Sequence, residues 1–141
     1  MTYKELVQLI EATAMEQPAV KTIVANDVYL LNTLQSAEYG VFAWSQNTHS
    51  GSMDSDETSF SFNLFFIDRL CEDESNLVDI HSTAVEVLNN VIRTLSAEGV
   101  GVTTWSLQPF TEKFLDTCAG MYATIALTIP VNTTCDYRYE I

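Results

Sequence analysis

From Ser59 to Asp68 apolar and polar residues alternate, with Phe60, Phe62, Leu64 and Phe66 on one side and Ser59, Ser61 and Asn63 on the other. A strand turns successive side chains to opposite faces, so this period predicts a strand with one core face. Phe65 and Ile67 break the polar side, which predicts that something covers its distal end. Upstream, Tyr39 to Asn47 carries Tyr39, Val41, Phe42 and Trp44 and reads as a strand entering the polar stretch Thr48 to Asp56. The two segments make a hairpin whose connection is longer than a tight turn needs.

A different period follows. Leu77, Ile80, Ala84, Val87, Leu88, Val91 and Leu95 recur at three- and four-residue spacing, which predicts an amphipathic helix over about Asn76 to Glu98. Acids precede it (Glu72, Asp73, Glu74), Ser75 or Asn76 is placed to cap it, Arg93 lies near its end and Gly99 offers a left-handed stop. Alternation returns through Val102 to Leu107 until Pro109 removes a ladder donor. Thr111 to Gly120 then interrupts the pairing, and Met121 to Pro130 resumes it as a second hairpin. At the start, Thr2 with Glu5 forms a capping-box pattern ahead of the stripe Tyr3, Leu6, Val7, Ile10 and Ala14, a helix that Pro18 stops or redirects. Residues 19–34 fit short strands or helical turns equally, and Val131 to Ile141 loses periodicity and reads as an arm.

These elements predict an α+β domain: an antiparallel sheet of two hairpins, a β-β-α-β-β core, with the N-terminal helix and the long amphipathic helix packed on one face. The 141 residues suit one domain, with 1–34 as helix and linker and 131–141 as a C-terminal arm. A 47% apolar content, including seven Phe, six Tyr and two Trp, is enough to offset chain entropy and argues against wholesale disorder.

Charge changes the picture of partners. Nineteen acids against six Lys and Arg give −13, a field that opposes a grip on phosphate backbones yet lets a polyanion pass an acidic wall without sticking. Cys71, Cys118 and Cys135 are widely spaced with no C-x-x-C pair, so neither a disulfide framework nor a zinc knuckle is expected and a reducing compartment is. Met1 to Ile10 does not resemble a signal peptide, and no apolar run has the length of a membrane span, so no membrane partner is expected.

Candidate chemistry is sparse. The chain has no Gly-rich phosphate loop, H-E-x-x-H or G-x-S-x-G. His49 and His81 lack ligands at metal spacing. Asp54, Asp56 and Glu57 lack the EF-hand run and suit a solvated hairpin tip, while Asp73 and Glu74 suit the helix dipole. Cys118 has no basic partner closer than Lys113 and suits a small buried thiol. The expectation is therefore a non-enzyme without cofactor or metal.

The runs Phe62 to Leu70, Asn76 to Ser82 and Val87 to Ile92, with Pro109 to Phe114 leading through Asp116, Ala119 and Gly120 into Met121 to Pro130, resemble small tail-completion proteins of tailed bacteriophages. The likeness spans about Phe60 to Asp136 and is to tail-terminator or head-tail-connector ring subunits, especially of Bacteroides-type phages. The resemblance implies a virion protein assembled in the bacterial cytoplasm. It would be a homo-oligomeric ring, six-fold or twelve-fold, seated on tail-tube or connector and portal proteins, with DNA passing through unbound. Such family members offer no catalytic residues to carry over. Beside it, Phe65 and Ile67 in the first hairpin and Tyr137 and Tyr139 in the arm are candidate subunit contacts, and Asp54, Asp56, Glu57, Asp73 and Glu74 are candidate lumen acids.

Two rival readings come from other classes. An acidic DNA-mimic inhibitor of a host nucleic-acid enzyme accounts for the charge, but mimicry needs carboxylates along one elongated face. The long helix offers only Asp79, Glu86 and Glu98. A small-molecule enzyme needs convergent polar groups in a pocket, which the chain does not reveal.

Overall fold

A computed structural model, describing residues 2–25, 39–51, 57–113 and 117–130, runs α1 (Tyr3–Met15), β1 (Thr22–Ala25), β2 (Val41–Gly51), β3 (Glu57–Arg69), α2 (Leu77–Ala97), β4 (Gly101–Lys113) and β5 (Thr117–Pro130). The fold is α+β: two helices and a five-stranded mixed sheet in the order β1-β2-β3-β5-β4. β3 pairs antiparallel with β2 and with β5, and β4 pairs antiparallel with β5. β3 and β4 therefore run parallel, joined by α2, with β5 inserted between them. A crossover of this kind is the split β-α-β arrangement.

Every second residue of β3 feeds the main core. Phe62, Leu64 and Phe66 are fully buried and Phe60 nearly so, joined by Phe42 and Trp44 from β2 and by Ala123, Ile125, Leu127 and Ile129 from β5. Onto this row α2 lays Ala84, Val87, Leu88, Val91, Ile92 and Leu95, and α1 adds Leu6, Ile10 and Ala14. Burying each large side chain contributes about 1.5–3 kcal/mol before conformational entropy is charged against it. At the head of α1 the Thr2 hydroxyl accepts from the Glu5 amide while the Glu5 carboxylate accepts from the Thr2 amide, each at 3.1 Å. Two orphan helix donors are satisfied reciprocally.

Three expectations need correction. The sheet is mixed and not purely antiparallel, because Thr22–Ala25 adds a strand parallel to β2, in register Thr22↔Val41 to Ala25↔Trp44. Gly40 makes this possible: at φ 86 its carbonyl accepts from the amides of Lys21 (2.7 Å) and Thr22 (3.3 Å), and a Cβ there would collide with the Ala19 carbonyl. Second, the β4–β5 ladder is not interrupted after Pro109. It continues through Phe110↔Gly120 and Thr111↔Ala119 to Lys113↔Thr117. β4 is the outermost strand, so a proline whose amide position faces away from β5 costs the ladder nothing. Third, Asn76 stands at the N-cap of α2 without a side-chain cap bond. Its amide instead clamps the preceding turn, accepting from the Cys71 amide at 2.9 Å and donating to the Arg69 carbonyl at 3.0 Å.

Gly120 sits where β5 passes β3, and a Cβ on it would overlap the Phe66 carbonyl. Neither strand can yield, since both are central. Gly120→Ala is expected to lower stability by about 1–3 kcal/mol, as overpacking does, seen as a lower urea midpoint with unchanged slope. An unchanged midpoint would mean that the two strands separate there without cost.

Candidate functional site

Buried residues of α1 and α2 share one cluster with Phe60, Phe62, Leu64 and Phe66 of β3, and the residues between these turn to the opposite face of the sheet. In β3 these are Ser59, Ser61, Asn63, Phe65 and Ile67, and the register sets beside them Thr128, Ala126, Thr124, Tyr122 and Gly120 of β5. β4 adds Thr104, Ser106, Gln108 and Phe110, and β2 adds Val41, Ala43 and Ser45.

This face has two halves. At one end lies a small apolar cluster of Val24, Val41, Ala43, Ile67 and Cys118, all buried, with Tyr39, Phe65 and Phe110 packed on its margin. Phe65, Phe110 and Tyr122 touch one another, with ring centroids 6.1 Å (Phe65–Phe110), 5.6 Å (Phe65–Tyr122) and 6.3 Å (Phe110–Tyr122) apart. Edge-on and tilted ring contacts of this kind add stabilisation beyond area burial. The other half is neutral and polar. The Thr124 hydroxyl donates to Asn63 Oδ1 and Asn63 Nδ2 donates to Asn47 Oδ1, both at 3.0 Å, and the Tyr122 hydroxyl donates to Gln108 Oε1 at 2.6 Å. These bonds tie β2, β3, β5 and β4 side chains into a preset surface.

Charge is absent from the middle of this face. Along β3 it begins at Glu57 and ends at Arg69, whose guanidinium stacks over the Tyr39 ring at 5.1 Å. β5 has no charged residue, and β4 has none from Gly101 to Thr111. In a chain of net charge −13, a neutral sheet face of this extent is a marked segregation.

The residues singled out in the sequence are not gathered at one place. Phe65 lies half-buried in the ring cluster and Ile67 is fully buried beside it. Glu57 is exposed at the start of β3, while Asp73 and Glu74 are exposed in the turn before α2, where Glu74 takes a left-handed φ of 57. Asp54, Asp56, Tyr137 and Tyr139 lie outside the described residues. Sequence reading missed Phe110, Tyr122 and the Asn47–Asn63–Thr124 chain. The only available signal was the even-numbered period of β5, which sets Tyr122 and Thr124 opposite its apolar side.

Elsewhere, α1 and β2 flank a shallow cleft of about 460 Å³ lined by Tyr3, Lys4, Val7, Gln8, Glu11, Ala25 and Trp44. The Trp44 indole N–H donates to Glu11 Oε2 at 3.0 Å across it. His49 is exposed and stacks on Phe60, with centroids 4.7 Å apart. Among the described residues no three His, Cys, Asp or Glu gather at metal-binding distances, and no helix is long and apolar enough to cross a membrane.

No protein-family model matches the chain, and no curated protein matches it in sequence.

The turn holding Asp73 carries a pH signature. Hydrogen bonds from the Ser75 hydroxyl and amide, the latter at 3.1 Å, hold the Asp73 carboxyl below its ordinary value. A carboxylate with a depressed folded pKa contributes above the unfolded value of about 3.9, and loses that contribution as pH falls through the lower folded one. In a carboxyl NMR titration Asp73 is expected to protonate at lower pH than an unbonded aspartate, and Ser75→Ala to raise its midpoint. No change in that midpoint would show the bonds to be without effect.

Proposed function

We propose that this protein is a structural subunit that assembles with copies of itself into a ring, as a tail terminator or head-tail connector of a phage virion through which DNA passes. The observation that carries the reading is the neutral, pre-ordered sheet face on a −13 chain. Long-range repulsion keeps such copies soluble and apart, and close contact is cheapest where no carboxylate must be desolvated. Ring contacts are head-to-tail, so a second, different surface on each copy completes them. The exposed acids Glu57, Asp73 and Glu74 suit a lumen that passes a polyanion without holding it. The resemblance of Phe60 to Asp136 to tail-completion proteins points the same way. A catalytic role has less support, because the polar groups of the sheet face bond to one another across an open surface and converge on no enclosed pocket.

Native mass spectrometry across a concentration series, with electron microscopy of the same samples, is expected to give ring-sized oligomers of six or twelve copies. Raising salt is expected to favour them, since the Debye length is already down to about 10 Å at 0.1 M and shrinks further. Tyr122→Arg should lower the oligomeric fraction without lowering helix content. A polypeptide that stays solitary at every concentration and salt, and is absent from tail preparations, overturns the reading. A tight monomer that coelutes with a DNA-binding enzyme would instead favour mimicry.

A further inference from the structure

The two edges of the sheet are unequal. β1 is four residues long, whereas β4 runs for 13 residues with its outer backbone unpaired by any described strand. Natural edges are usually blunted by brevity, charge or proline, because a bare row of N–H and C=O groups templates another strand. β4 has only part of this protection: no charge from Gly101 to Thr111, one proline at Pro109, and a bulge where Thr103 falls out of register between Val102 and Thr104. Trp105, opposite the core residue Ile125, stays 48% exposed.

Pro109 fixes which amides are free. A proline is tolerated here because its amide position points away from β5, and alternation then turns the N–H and C=O of Trp105 and Leu107 outward as well. The occupant must therefore be a strand. It must also be uncharged over the same length, and among the described strands only β4 of another copy offers a free edge that long.

We propose that free copies of this chain pair β4 to β4, antiparallel about a two-fold axis at Ser106, into a continuous sheet spanning two molecules. In this register Trp105 lies opposite Leu107 of the second copy, exchanging both backbone hydrogen bonds and covering the exposed indole. Pro109, which has no donor, lies opposite the bulged Thr103, outside the regular ladder. An isologous contact through an uncharged strand sets no acid of one molecule against an acid of the other there, the condition that two −13 chains impose. The pairing goes beyond the ring reading, since a cyclic ring has no such two-fold axis. It covers the edge of copies not yet assembled.

Two measurements on the full chain test it. Sedimentation equilibrium is expected to show a monomer–dimer equilibrium, with Trp105→Lys raising the dissociation constant at least tenfold while circular dichroism and melting stay as in the parent. Ser106→Cys, in a Cys71→Ser, Cys135→Ser background, is expected to form an intermolecular disulfide under mild oxidant that its background does not form. Directly opposed non-hydrogen-bonded pairs lie about 4.5 Å apart at Cα, within disulfide range. If Trp105→Lys unfolds the protein, the cysteine result decides alone. A dimer that forms without this disulfide, or a chain monomeric at every concentration, overturns the pairing. Rings that assemble without the disulfide sink the pairing and leave the ring reading standing, whereas a disulfide-linked dimer that never assembles further does the reverse.

Discussion

The alternation in β3 constrains everything else. Phe60, Phe62, Leu64 and Phe66 form a row too large to leave in water, and β3 is the middle strand, flanked by β2 and β5. Once α2 is drawn onto that row, the chain has only α1 left among its described helices, and α1 joins the same core through Leu6, Ile10 and Ala14. Among the described residues, the opposite face is consequently left to side chains with no helix of the shared core over them. The chain fills that face with short neutral groups hydrogen-bonded to one another, and with three rings that shield one another at the end where Val41, Ala43, Ile67 and Cys118 lie buried.

The distribution of charge follows the same division. Acids occupy the turn before α2 and, as Glu5, Asp79 and Glu86, exposed helix positions where water screens them, and Glu5 and Asp79 lie in first turns, where the helix dipole favours them. None enters β5 and none enters β4 before Glu112. A carboxylate on the sheet would face lateral neighbours only about 5 Å away, where like charges are destabilising. Segregation therefore needs no functional explanation at the level of one strand. On the proposed assembly it acquires one over four adjacent strands, because the result would be a broad surface from which repulsion between copies is removed.

How far the sequence could be read depended on how many periods each element contained. β3 and α2 repeat their patterns long enough for sides to be assigned, and both elements lie within a residue or two of where the alternation and the three-and-four spacing put them. β1 has four residues, fewer than any period can distinguish, and its parallel pairing depends on the left-handed Gly40 and not on its own side chains. Pro109 misled for a different reason. A proline marks a strand's end only if the strand is flanked on both sides, and whether β4 is flanked is a property of sheet order that no local window contains. Ile67 posed the same difficulty in reverse: an apolar residue on a polar face is compatible with an exposed contact or a buried one, and only Val24, Val41 and Cys118 around it decide for burial. Of the site only Phe65 and Ile67 were legible, as apolar residues breaking the polar side of β3. The site was not legible as a geometry, because Asn47, Asn63 and Thr124 come from three strands and their proximity is set by register.

Face and edge place opposed demands on one sheet. The face is broad, already hydrogen-bonded within itself and adds little by pairing loosely, so association through it requires close shape matching over a large area. The edge is narrow but its backbone groups lose water's hydrogen bonds whenever anything covers them, so only another strand can replace what is lost. On the two proposals made above, a molecule with both would have two modes of meeting a copy of itself, one directional and tolerant of sequence, the other broad and demanding. Pro109 and the bulge at Thr103 would limit the proposed first mode to the short stretch between them, so that edge pairing would be specific and finite where an uninterrupted β4 would invite open-ended aggregation.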